Sequence, residues 1–505
     1  MTNTLLSNRK YHSHIFCLLI TIVSLAVMLR YAGSVSLWYD DLYTISISAK
    51  GLSWDQMVSN MMADAHYNPP LFYLFAAFWL RVAPYGTLFL KLPSILFSAA
   101  GIYLCGVVAR RLKGNSAAVF ATIFAAASTF LIFNGADTFR SYGLMFLLVL
   151  ICMYFYILRI EKNRVLNRYI FIFGALAAVL CYTHYFGILI IASFFICDLV
   201  LIAAKKLNAR HLLSYLLFAA LFLPFFISRL MVLAEQNWTF WADAPDAKSV
   251  VLLTQDIVSN YNFIYILFLF GMVMSVIMIF SSYTREYMGM GRKQVYVSVM
   301  QVFTVIFVIG AVFVYSRYIN PDGSLFIFRY FVSIVPMIVI ISAIGVDCVF
   351  AILLKSKPAK LAGITIGAVV CVVTLYLGAN TLEKVIDNSN TVNEPFEQAM
   401  DWIYDQDIAH NPDTLIITDA PERGVLYYIT HDGQRPPLNV AFYRNPETNL
   451  TEDNYSGWNT IIRFDGHRPA PSATLSLLQK HYTLTETHDM WGVPIQIYQK
   501  MQSPE

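Results

Sequence analysis

Long apolar runs dominate the chain, and short polar segments separate them. The runs lie near residues 14–33, 69–83, 88–109, 115–134, 142–158, 169–183, 185–204, 211–229, 257–281, 295–315, 329–353 and 361–378. Most approach the ~20 residues that a helix needs to cross a bilayer. Run 69–83 is the exception: it is short, opens with Pro69-Pro70 and carries Arg81 near its end. Residues 169–204 are almost continuous, and Tyr182-Thr183-His184-Tyr185 is expected to turn at the outer surface. After Gly378 the pattern changes. Helical stretches at Phe396–Ala409, Glu422–Thr430 and Thr474–His481 alternate with strand-like runs at Thr414–Asp419, Thr460–Phe464 and Pro494–Gln499, which predicts a small α/β domain.

Composition supports a polytopic α-helical membrane protein. Of 505 residues, 57% are hydrophobic and 13% charged, with mean hydropathy +0.57; a soluble domain carries about 25% charge. The expected division is a membrane part at 1–379, with a first outer loop at 34–87 holding interfacial helices, and the α/β domain at 380–505. The first run, behind Arg9-Lys10, reads as an uncleaved signal anchor. All seven cysteines fall inside apolar runs, so no disulfide framework is indicated. Nucleic acid is not an expected partner.

The net charge of +3 says little, but its placement says more. If run 69–83 does not cross, Arg9-Lys10 and the basic clusters at 110–113, 159–168, 205–210, 285–293 and 355–360 share the cytoplasmic side. Asp40, Asp41, Asp55, Asp64, Asp137, Glu235, Asp243, Asp246, Asp256 and Asp322 then lie opposite. This gives eleven spans and places the first loop and the C-terminal domain outside the inner (plasma) membrane.

The acids of the first outer loop carry the candidate chemistry. Asp40 and Asp41 follow Trp38-Tyr39, and Asp64 and His66 precede Pro69-Pro70. Charges beside a bilayer are costly to keep. The Asp pair admits three uses: a general base with a charged neighbour, a divalent-metal site, or ordinary interfacial acids. Asp55 reads as structural, in a helix start capped by Ser53 with Gln56 three residues on. Lys91, Arg140, Arg317 and Arg329 are cations on the acidic side, placed either to snorkel or to hold an anion such as phosphate.

Several of these stretches resemble the GT-C glycosyltransferases of the family 39 type, the protein mannosyltransferases and aminoarabinose transferases. The family patterns W-x-D-E, D-x-H-P-P-L-Y-Y, R-L-P-S, R-x-Y and R-Y-x5-P are matched by Trp38–Asp41, Asp64–Tyr73, Lys91–Ser94, Arg140–Tyr142 and Arg329-Tyr330 leading to Pro336. Asp41 stands where Glu is usual, Tyr67-Asn68 separates His66 from the prolines, and Lys91 replaces Arg. The resemblance implies an inverting transferase that takes a sugar from a polyprenyl phosphate such as undecaprenyl phosphate. The acceptor is lipid A, a cell-envelope glycan or a protein. Asp40 would be the base, with Asp41 supporting it. Lys91, Arg140 and Arg329 would hold the donor phosphate, while Asp64, His66, Tyr73, Tyr142 and Tyr330 position substrate. No cofactor is required by this reading; if a divalent cation is used, Asp41, Asp64 and His66 are its candidate ligands. Residues 230–256, with Trp238, Phe240 and Trp241, are a candidate covering loop or a plain aromatic belt. The competing readings are a lipid-linked oligosaccharide ligase or polymerase, and a lipid or polysaccharide transporter. A transporter would want ionisable groups near mid-bilayer.

Overall fold

The computed structural model describes residues 2–63, 69–162, 167–235, 242–257, 262–353, 396–443, 449–465, 470–490 and 493–501, together with 372 and 376. Asp64, His66, Trp238, Phe240, Trp241, the 361–378 run apart from 372 and 376, and the 379/380 boundary lie outside the described residues. The chain opens with helices α1 (Thr2–Ser34), α2 (Tyr39–Ser48), α3 (Trp54–Ala63), α4 (Leu71–Val82), α5 (Thr87–Leu112) and α6 (Asn115–Ala126). After the short α7 (Thr129–Leu131) come α8 (Tyr142–Glu161), α9 (Arg168–Thr183), α10 (Phe186–Ala203) and α11 (Leu213–Glu235). The helical part ends with α12 (Ala247–Ile257), α13 (Asn262–Phe280), α14 (Ser282–Tyr287), α15 (Arg292–Val314) and α16 (Val335–Leu353).

Seven of the described helices are long and apolar enough to cross a membrane, or eight if one bent pair counts as a span. The chain is thus a multi-span membrane protein. The expected span at 115–134 is that bent pair: α6 and Thr129–Ala136 meet at 57°. Ser128 makes the break, its Oγ accepting from Leu131 N–H as the cap of the second piece. α9 and the apolar part of α13 are shorter apolar helices. Run 69–83 forms α4, 12 residues long, or roughly 18 Å against the ~30 Å of a hydrocarbon core. The turn expected at His184 is the break between α9 and α10. Ser53 and Gln56 form the expected capping box, with Ser53 N–H donating to Gln56 Oε1 at 3.0 Å and Gln56 N–H to Ser53 Oγ at 3.2 Å.

α5 runs between the two ends of the bundle, 26 residues or about 39 Å. Pro93 within it has no N–H to give the Phe89 carbonyl, and Trp79 Nε1 on α4 donates there instead, at 2.9 Å. At its far end, Lys113 pairs with Asp347 at 3.0 Å, Arg111 pairs with Glu161, and Lys293 donates to the Glu161 carbonyl at 2.8 Å. Basic residues of the clusters expected at 110–113 and 285–293 thus gather at one end, around Glu161 and Asp347. A second charged group sits inside the bundle. Arg159 and Asp198 are fully buried and paired at 2.5 Å, and Tyr156, Ser214 and Tyr215 add hydrogen bonds to them, while Arg159 Nε has no hydrogen-bond partner among the described residues. Satisfaction by neighbours is what makes charge tolerable away from water.

The other end of α5 meets a small sheet domain. Its strands are β1 (Thr414–Thr418), β2 (Val440–Phe442), β3 (Thr460–Phe464), β4 (Tyr482–Met490) and β5 (Val493–Lys500), in the order β2-β1-β3-β5-β4. The first three are parallel, and β5 and β4 run antiparallel. Helices α17 (Phe396–Tyr404), α18 (Glu422–Ile429) and α19 (Ser472–His481) cover it. β1 is buried on both faces. Ile416 on one face joins a core shared with Leu37, Leu42, Ile45, Phe72 and Ala76 of the first loop, while Leu415 and Ile417 join a core within the domain. Docking is close at Gly424, where a Cβ would lie 2.6 Å from Leu42 Cβ. Gly424 N–H donates to Ser46 Oγ at 3.2 Å, Leu37 N–H to Tyr428 Oη at 3.0 Å, and Thr87 Oγ1 to Glu397 Oε2 at 2.7 Å. The first loop and the sheet domain therefore share one end of the molecule, opposite the basic end.

Candidate active site

α2 begins with two acids in its first turn, where the helix dipole favours them. Neighbours on a helix point to different sides, and the two carboxylates part company. Asp41 is fully buried. Its Oδ1 accepts from Phe139 N–H at 2.8 Å and its Oδ2 from Trp38 N–H at a long 3.4 Å. Burial pushes its carboxyl up to about 7, against the pull of Lys91. Asp41 thus fastens α2 to the turn at 137–140 and offers no face to a substrate. With both oxygens on backbone N–H groups it is a poor fit for a metal. Among the described residues no three His, Cys, Asp or Glu side chains gather to hold one.

Lys91 is fully buried too. Its ammonium donates to Asp137 Oδ1 at 2.7 Å, Val35 O at 2.8 Å and Ser36 O at 3.1 Å. An ammonium has three protons, and all three are engaged. Lys91 ties α5 to the segment entering α2 and to the 137–140 turn.

Asp40 faces the other way, with its side chain 25% exposed. Arg329 Nη2 reaches its Oδ2 at 2.8 Å, and among the described residues no partner occupies Oδ1. The Arg329 guanidinium also donates from Nε to Tyr142 Oη at 3.1 Å and lies 4.8 Å over the Trp38 ring. Arg140 stands beside them, buried, with Nη1 donating to the Asp40 carbonyl at 3.2 Å and to Thr44 Oγ1 at 3.0 Å. Tyr142 takes its place because Gly143 lets α8 close on α5: a Cβ there would be 2.7 Å from the Ser94 and Gly135 carbonyls. The Tyr330 ring is 6.2 Å from Tyr142. Tyr73 on α4 is within electrostatic reach of Arg140 and packs with Ile47, Met57 and Met61.

The structure therefore gathers Asp40, Arg140, Arg329, Tyr142 and Tyr330, with Tyr73 at the flank and Asp41 and Lys91 behind. Sequence reasoning gave no role to His184, Trp38, Thr44 or Asp137. Trp38 opens a matched motif, Asp137 lies among the outer-face acids, and His184 is a polar group at a break in an apolar stretch; Thr44 had no signal. The His184 ring sits against Tyr142 and Tyr330, at 5.7 and 5.0 Å between centroids. One open carboxylate beside two guanidiniums and two phenols can accept a proton while an anion is held nearby.

Comparison with known proteins follows the same line. Residues 67–231, about a third of the chain, match the family described as dolichyl-phosphate-mannose-protein mannosyltransferase. No curated protein sequence matches the chain significantly. Among solved structures, ArnT from Cupriavidus metallidurans bound to undecaprenyl phosphate is similar at TM-score 0.61 and 13% identity, over 95% of this chain and 97% of that one. Its apo form gives 0.59 at the same identity and coverage. The apo oligosaccharyltransferase of Archaeoglobus fulgidus gives 0.51 at 12% identity, over 88% of this chain and 69% of that one. The chain has the GT-C fold, as the sequence motifs implied.

Proposed function

We propose that this protein is an inverting glycosyltransferase of the inner membrane, acting on its outer face. It moves a sugar from a polyprenyl phosphate to a hydroxyl of lipid A, a cell-envelope glycan or a protein. The observation that carries this reading is Asp40: a carboxylate held on one oxygen by Arg329, next to Arg140, at the end of the bundle where the sheet domain docks. The fold likeness to ArnT, whose structure holds undecaprenyl phosphate, supports the donor class.

The acceptor oxygen attacks the anomeric carbon opposite the phosphate, and its proton passes to Asp40. The bond from that carbon to the phosphate oxygen breaks, and its electron pair leaves with the phosphate. Arg140 and Arg329 stabilise the charge that grows there. Arg329 also fixes the carboxylate in place. Lys91 and Asp41 contribute by holding the loop and the 137–140 turn together. The sheet domain, packed on α2, selects the acceptor.

Asp40→Asn tests this. The amide keeps the shape but cannot take the proton, so sugar transfer from a polyprenyl-phosphate donor should fall by about 10²–10⁴. Binding of undecaprenyl phosphate should persist. Transfer at the wild-type rate would overturn the assignment, and undiminished lipid flux without transfer would favour a transporter.

A further inference from the structure

His184 terminates α9, and its ring is only 2% exposed. Its Nδ1 faces Phe186 N–H at 3.2 Å and accepts from it. A neutral imidazole that accepts on one nitrogen carries its proton on the other. Burial, with Arg140 and Arg329 nearby, holds the ring neutral, its pKa pushed down to about 3. The proton therefore sits on Nε2, on the side of the ring away from the α10 backbone. Among the described residues that buried N–H has no hydrogen-bond partner. A second orphan donor lies close by, the buried Nε1–H of Trp38, under the Arg329 guanidinium.

A buried donor left without an acceptor is costly, and a ligand that supplies the acceptor recovers that cost. Two such donors flank one arginine, in a group that also holds a second guanidinium and two tyrosines. The imidazole N–H, the indole N–H and the two guanidiniums there are all donors. What fits such a set is a multiply charged oxyanion, able to accept from several directions at once. We propose that His184 is a ligand-positioning residue: its Nε2–H, aided by Trp38 Nε1–H, binds a phosphate oxygen of the polyprenyl donor. This rests on the donor class argued above. The neutral ring adds a donor from a direction that the two guanidiniums do not cover, and so orients the phosphate as a leaving group relative to Asp40.

The test uses the full-length protein in detergent, with undecaprenyl phosphate and undecaprenol as probes. His184→Phe keeps an aromatic ring and removes the donor; His184→Gln keeps an N–H at a similar reach. His184→Phe should weaken undecaprenyl phosphate binding about 10-fold or more, the worth of one hydrogen bond to a charged group. Undecaprenol binding should not change. His184→Gln should recover most of the loss. The unliganded Phe variant should unfold at the same temperature as wild type or higher, because an unsatisfied donor has gone. Loss of binding with unchanged or raised stability is a pair of results that a merely structural histidine does not give. Equal phosphate affinity in wild type and His184→Phe overturns the proposal; the N–H then rests on the Tyr330 ring. An equal loss for undecaprenol also overturns it, since the contact is then not to phosphate. If wild type binds neither probe, the donor class itself fails, which is distinct from failure at His184.

Discussion

Lys91→Met separates two employments for a buried lysine: anchoring the loop, or touching the donor phosphate. The ammonium is removed from Asp137 Oδ1 at 2.7 Å and from two carbonyls, those of Val35 and Ser36. Neither member of the ion pair has solvent to fall back on, being 0% and 3% exposed. Breaking one side of such a pair costs about 3–5 kcal/mol, chiefly because the remaining charge stays buried. Adding Asp137→Asn removes that charge, and the double variant should recover about 1–3 kcal/mol. The assay is thermal unfolding in detergent at one fixed scan rate, with undecaprenyl phosphate binding measured on the folded fraction. An anchoring lysine gives a clear fall in the unfolding temperature, partial rescue by Asp137→Asn, and binding within a few-fold of wild type. A variant that unfolds like wild type yet does not bind would refute the anchor and return Lys91 to the phosphate.

Three further outcomes follow from the same geometry, besides the loss of transfer in Asp40→Asn. Asp41, at about 7 in the folded protein against 3.8 ordinarily, keeps a proton that the unfolded chain has released between those pH values. Stability should therefore fall as pH rises from about 4 to 7, by at most on the order of 4 kcal/mol, and level off above. Asp41→Asn should flatten that slope in unfolding temperatures taken from pH 4 to 8; identical slopes would refute it. Gly424→Leu places a side chain where Leu42 Cβ lies 2.6 Å from the new Cβ, so the sheet domain should lift from α2. Hydrogen exchange should then rise in α2 and not in the middle of α5, and unchanged α2 protection would count against this docking. Arg159→Met leaves Asp198 buried without its partner and should destabilise by about 3–5 kcal/mol, read as a lowered unfolding temperature with undecaprenyl phosphate affinity unaltered.

Much of the fold was legible because a bilayer makes simple demands. Apolar length marked the spans, and charge sorting marked the ends; Lys113 at one end of α5 and Thr87 against Glu397 at the other bear this out. Short-range chemistry was legible as well, in the Ser53–Gln56 box and in the prolines before α4. Strands β1, β3 and β5 were found within a residue or two because they are apolar. β4 was missed because most of its residues from Thr483 to Glu486 are exposed, polar positions on an edge strand, with no hydrophobic run to betray it. β2 is three residues long and below any periodic signal. The bend at Ser128 was hidden by apolar residues on both sides, since hydropathy does not register a change of axis.

The site was legible in its membership more than in its division of labour. Lys91 could snorkel, pair or bind, and its partner Asp137 is 46 residues away. No local pattern selects among those fates; the packing of α5 against the 137–140 turn does. The two aspartates were no more legible. Residues four and seven positions on are buried after both of them, Thr44 and Ile47 after Asp40 and Ile45 and Ser48 after Asp41, so the helical period of α2 does not choose between them. The surrounding packing does: Phe139 N–H closes on Asp41, and Arg329 reaches Asp40. A swap that exchanged the residues facing inward and outward would have to move Leu42 and Ile45 out of the core they share with the sheet domain. Asp40, the proposed base, is therefore held by the same apolar contact that docks the domain, and displacing Leu42 should misdirect it before it unfolds the bundle.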